Sequence, residues 1–135
     1  MEFIDWENAF SVGVQSIDKQ HKNIFNIINE LQDSINQAKP RSVINEIMIR
    51  LTVYTEMNFI YEERLFKKYG YEQGEEHKRQ HDELSHKITH LQKKYLTANQ
   101  YAEEEILAFV QSEISNHIQL CDMEYVPFMS AIGIH

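Results

Sequence analysis

The chain has 135 residues, 42% of them hydrophobic, and a formal net charge of −8, which suits one domain with a real core. Its 13 Lys and Arg are scattered without a basic stripe, which argues against nucleic acid as a partner. The single cysteine, Cys121, excludes an internal disulfide framework, and no apolar run approaches the ~20 residues that span a bilayer.

The start, Met1-Glu2-Phe3-Ile4-Asp5, is acidic and lacks a signal peptide's basic-then-apolar layout. The expectation is therefore a soluble, cytoplasmic, single-domain protein. With only 2 Pro and 4 Gly, regular structure should dominate. Residues 1 to about 16 read as an extended arm, because Phe3, Trp6, Phe10, Val12 and Val14 lack sustained helical spacing,. The aromatics of the arm should pack on the domain.

A first helix is predicted over about 17–38, capped by Ser16 or Asp18 and ended by Lys39-Pro40,. Its apolar seam runs Ile17, Ile24, Ile28, Leu31 and Ile35, and His21 fills the one missing position. A second helix, about 42–69, has the seam Ile44, Met48, Leu51, Thr55, Asn58, Glu62, Leu65 and Tyr69, with Gly70 as its terminator,. The third, about 75–95, has His77, His81, Leu84, Ile88, Leu91 and Tyr95. Its two histidines stand four residues apart, so they lie about 40° apart around the axis and point from one face.

After a loop at Thr97-Ala98-Asn99, a fourth helix is predicted over about 102–125, with Leu107, Val110, Ile114, His117 and Cys121 inward and Pro127 ending or kinking it,. Four amphipathic helices with short connections specify an all-α, up-down-up-down four-helix bundle. Alternating chain direction then brings the starts of the odd helices and the ends of the even ones together. His21, Glu62, His77, His81 and His117 all fall at that end, at a similar level. Burying such groups unpaired costs roughly 1–3 kcal/mol each, and more for a charge, so a bound cation is expected.

Imidazole and carboxylate donors without thiolates suit iron, manganese or zinc. More than four donors exceeds an ordinary tetrahedral zinc site, and a carboxylate between helices suits two adjacent ions. Asp122 is the second bridging candidate, although five residues of ideal helix set it about 140° from His117. It reaches the centre from the side, or the helix loosens ahead of Pro127. Cys121 has the more regular spacing and could ligate as a thiolate, but a small buried hydrophobe is the plainer reading. His86 and His90 repeat the four-residue spacing on the opposite face and are expected in solvent. A ferritin-like carboxylate site needs two inward Glu-x-x-His motifs. The one match, Glu83 to His86, faces away.

With these residues placed, the chain resembles the bacteriohemerythrins of the hemerythrin family over nearly its full length. The resemblance is carried by Trp6, Ser11-Val12-Gly13-Val14, Ile17-Asp18-Lys19-Gln20-His21, Asn58-Phe59-Ile60-Tyr61-Glu62-Glu63, Glu76-His77-Lys78-Arg79-Gln80-His81, His117-Ile118-Gln119-Leu120-Cys121-Asp122 and Tyr125-Val126-Pro127-Phe128. It implies two iron ions with a bridging oxo or hydroxo group and reversible binding of dioxygen. By position, His77, His81 and His117 would hold one iron, His21 the other, and Glu62 and Asp122 would bridge them. Ile24, Ile114 and Ile118 would line the oxygen pocket, expected on the iron with three histidines. An oxygen-consuming or electron-transfer protein is the partner class implied.

One position departs from the family pattern. Asn58 stands where the family has a histidine on the His21 iron, and a neutral amide oxygen is a poor iron ligand. A weakened or more open second metal position is expected. That opening also raises an alternative: a diiron oxidase, a peroxidase or a nitric-oxide-reactive enzyme.

Overall fold

The computed structural model describes residues 6–97 and 103–135. Four long helices carry the molecule: α1 (Gln15–Asn36), α2 (Arg41–Tyr69), α3 (Gly74–Thr97) and α4 (Glu103–Asn116). Each packs on its neighbour in sequence, and α4 closes on α1, as an up-down-up-down bundle requires. There is no strand among the described residues. Phe3, Ala98, Asn99 and Ala102 lie outside them, while Thr97, expected in a loop, is the last residue of α3.

The arm contains one short 3-10 turn, Asn8–Phe10, and lays its aromatics on α1. Phe10 meets Phe25 edge-on at 4.8 Å between ring centres, and Trp6 lies 5.7 Å from the same ring. Neither Ser16 nor Asp18 caps α1, which begins earlier, behind Val14, with no side-chain cap. Asp18 reaches backward instead. Its carboxylate accepts from the Val12 N–H at 2.9 Å and from the Ser11 hydroxyl at 2.6 Å. That tie tucks Val12 and Val14 into a small core with Ile17, Phe66, Tyr125 and Met129.

The helix ends follow from local chemistry. α1 stops short of the proline because Ala38 turns left-handed at φ 52° and the Lys39 N–H bonds back to Ser34 at 3.0 Å, a closure that satisfies a free helix carbonyl. Pro40 then stands immediately before α2. At the far end Gly70 adopts φ 71° and the Tyr71 N–H bonds to Phe66 at 2.9 Å. Gly74 lets α3 start hard against α2, since a Cβ there would sit 3.1 Å from Phe66 Cβ.

Two seam expectations need correction. In α2 the buried stripe runs Thr55, Asn58, Glu62 and Phe66, whereas Leu65 is half-buried and Tyr69 is 41% exposed. Two successive four-residue steps slide the stripe around the helix, toward the Gly74 contact. In the fourth segment Cys121 is only half-buried while Asp122 is fully buried. The predicted unbroken helix to about 125 ends at Asn116. A π-helical turn (His117–Cys121), a 3-10 turn (Asp122–Tyr125) and a short helix, α5 (Val126–Ala131), replace it. Pro127 sits in the first turn of α5, where its missing N–H has no helical partner to lose, so it opens a helix rather than ending one.

Candidate metal centre

His21 on α1, Glu62 on α2, His77 and His81 on α3, and His117 and Asp122 on the π and 3-10 turns converge inside the bundle. None is more than 8% exposed. The π-helical turn is what completes the set. The Asp122 N–H donates to the His117 carbonyl five residues back, and this wider turn swings both side chains onto one face, where a regular helix would part them.

The two carboxylates each divide their oxygens. Glu62 Oε1 lies 3.5 Å from His77 Nε2 and 3.3 Å from His81 Nε2, while its Oε2 lies 3.2 Å from His21 Nε2. Asp122 Oδ1 lies 2.9 Å from His77 Nε2 and 3.1 Å from His117 Nε2, while its Oδ2 lies 3.2 Å from His21 Nε2. Donor atoms of Glu62, His77, His81, His117 and Asp122 all fall within 4.8 Å of one another. His21 is joined to that group from the other side, through both carboxylates.

These atoms are close but poorly paired. The Nε2 atoms of His77, His81 and His117, Glu62 Oε1 and both Asp122 oxygens are buried without a hydrogen-bond partner. Each such group costs about 1–3 kcal/mol if left so. A cation among them satisfies nitrogen and oxygen donors together, so the residues fit a metal on their own geometry.

The charges agree with that reading. Burial alone would lower the His21 and His77 pKa values, yet the neighbouring carboxylates of Asp122 and Glu62 outweigh it and hold each at about 9. Burial works against His117 as well, and Asp122 with Cys121 and Glu62 raises it to about 10. Glu62 is pushed up by burial and by Asp122, but His21, His77 and His81 bring it down to about 2. Asp122 is held well below its ordinary range against burial, His117 being the largest of its stabilising partners.

Spacing along single helices does not reveal the residues that support the centre. Glu63 meets His81 Nδ1 at 2.8 Å, which fixes the ring so that Nε2 faces the centre. Phe59 stacks on the His81 ring at 3.9 Å, and Phe66 meets the His77 ring at 4.9 Å. The only sequence signal for Glu63 was its place beside Glu62, because its partner lies 18 residues away. His86 and His90 are exposed, as expected.

Asn58 is buried, and its amide nitrogen donates to Gln20 Oε1 at 2.8 Å. Ile24, Ile114 and Ile118 line one small cavity of about 10 Å³, together with His21, Asn58 and His117. That is room for about one water-sized probe.

A buried set of four histidines and two carboxylates at one end of a four-helix bundle defines a cation-binding helical bundle. The chain matches the hemerythrin HHE cation-binding domain family over residues 12–129. It is 34% identical to a bacteriohemerythrin of Methylococcus capsulatus, covering 97% of this chain and 100% of that one. Against a bacteriohemerythrin of Pseudomonas aeruginosa it is 30% identical, covering 93% of this chain and 81% of the relative. The crystal structure of a wild-type hemerythrin superposes with a TM-score of 0.83 at 33% identity, over 93% of this chain and 97% of that one. The chain belongs to the hemerythrin family, the non-haem oxygen-binding proteins. None of these comparisons favours the oxidase, peroxidase or nitric-oxide alternative. No helix among the described residues is long and apolar enough to cross a membrane.

Proposed function

We propose that the centre holds two iron ions and that the protein binds dioxygen reversibly, for transport, storage or delivery. His77, His81 and His117 would hold one ion, His21 would hold the other, and Glu62 and Asp122 would supply an oxygen to each, with an oxo or hydroxo group between them. The observation that carries this reading is the division of both carboxylates, one oxygen toward His21 and the other toward the three remaining histidines. A single metal position would not call for it. A bound, reduced iron pair would supply the reversible electron transfer that dioxygen binding needs. An oxygen-consuming or electron-transfer protein is the partner class this function implies.

In this reading the open side is that of His21, opposite to the three-histidine side implied by the resemblance, and crowding supports it. Three imidazoles and two carboxylate oxygens converge on one position, whereas His21 faces two carboxylate oxygens and no second imidazole. Asn58, turned toward Gln20, does not supply one. The small cavity bordered by His21, Asn58 and His117 is the oxygen pocket of this reading, with Ile24, Ile114 and Ile118 as its apolar walls. Apolar walls at the pocket favour release of intact dioxygen over protonation of a reduced product.

The test is iron per chain together with the visible spectrum of the reduced protein exposed to air. Two irons and a spectrum that reverts when oxygen is removed are expected. Absence of iron, or an immediate and irreversible oxidation, would overturn the proposal.

A further inference from the structure

We propose that the groove between α1 and α2 is an entrance for small monovalent anions to the His21 side of the centre, closed at its inner end by the Gln20–Asn58 hydrogen bond. The inference rests on the metal-centre reading above. The groove encloses about 530 Å³, and Lys19, Gln20, Tyr54, Met57, Asn58 and Arg64 are among its walls. Among the described residues that line it are two cations and no acidic side chain, in a chain whose net charge is −8. Positive charge along a cleft raises the local concentration of anions and their rate of arrival.

Asn58 connects this groove with the interior. It is 2% exposed, yet it borders both the groove and the small cavity beside His21. Asn58, joined at 2.8 Å to the half-buried Gln20, is the residue that the groove and the cavity share on this side. Such a closure opens by rotation of one partly exposed side chain, whereas a packed apolar layer would have to be displaced. The Asn58 amide N–H that now donates to Gln20 is also one from which an incoming anion can accept a hydrogen bond. A histidine at position 58 directed to the metal would remove that donor from the route.

Azide is the probe, and the full chain loaded with iron is the material. Lys19→Glu with Arg64→Glu is compared with Lys39→Glu with Lys87→Glu, which changes the net charge equally on other parts of the surface. Azide uptake followed by stopped-flow absorbance should slow about tenfold in the groove variant at low salt and less than twofold in the control. The gap should close near 1 M salt, where the screening length is about 3 Å. A second readout needs no metal. Azide should shift the side-chain amide NMR signals of Gln20 and Asn58 in the metal-free parent, but not in the groove variant. Equal slowing in both charge variants, or unshifted amide signals in the parent, overturns the entrance. Loaded protein with unchanged rates overturns the entrance alone, whereas a chain that takes up no iron overturns the metal-centre reading with it.

Discussion

The two ends of the bundle are built by different rules. At one end Ile28, Leu31, Ile44, Leu51, Ile106 and Val110 interlock with almost no exposure, on helices that stay regular. At the other, six polar side chains replace the apolar seam, and the last helix gives up its regularity to supply two of them. An apolar seam tolerates a regular repeat because any side chain of suitable volume fills the space. A polar centre needs particular atoms at particular distances. The backbone therefore changes its turn from α to π to 3-10 between Asn116 and Val126.

If the ends divide the work in this way, damage to each should be read by a different instrument. Asp122→Ala should have the largest effect, because it removes one oxygen from each metal position. Iron per chain, measured by metal analysis, should fall from two toward zero while far-UV circular dichroism stays helical. Leu51→Ala at the apolar end should destabilise the fold by about 2–5 kcal/mol in urea unfolding and leave the iron stoichiometry of folded protein unchanged. Loss of iron from folded Leu51→Ala would break the division.

Glu63→Gln sharpens the contrast within the polar end. It replaces the carboxylate that orients His81, and a loss of about 10–100-fold in metal affinity is expected by competition with a chelator. A fully retained affinity would mean that the charge of Glu63 is not needed to hold the ring.

Protonation separates the ends as well. The folded-state pKa values of His21 and His77 are raised to about 9 and that of His117 to about 10. Their contribution to the metal-free fold is thus fully present below about 6.5, the unfolded value, and is lost as pH rises through 9 to 10. Glu62, lowered to about 2, contributes above about 4.5 and loses its contribution as pH falls toward 2. Urea midpoints of the metal-free chain should accordingly decline from pH 6.5 to 10. Metal uptake at pH 7 should release about three protons, since His21, His77 and His117 must be neutral to ligate. A flat profile would show that these histidines are not held charged by Glu62 and Asp122.

The smallest expected effect is that of Asn58→His. It restores an imidazole on the His21 side and should slow loss of the second iron to a chelator several-fold, with the spectrum of the oxygenated form lasting longer. Identical iron content and spectra in parent and variant would mean that Asn58 does not weaken that position.

Much of this molecule was legible in the chain itself. The alternating three- and four-residue spacing of Ile44, Met48, Leu51 and Thr55, or of Leu84, Ile88 and Leu91, states a helix and its buried face without tertiary information. Chain direction then brings His21, Glu62, His77, His81 and His117 to one level, because an up-down bundle has only two ends. Periodicity could not supply Asp122, since it assumes a constant turn and the turn changes at His117. The same assumption favoured Cys121, which the regular repeat points inward and the π-helical turn leaves half-buried. Nor could spacing reveal the pairing of Glu63 with His81, the shift of the α2 stripe from Leu65 to Phe66, or the turning of Asn58 toward Gln20. Each depends on a side chain from another helix. Local sequence determined which faces are buried and which residue types face the centre; only the packing of one helix against another decided which atoms meet there.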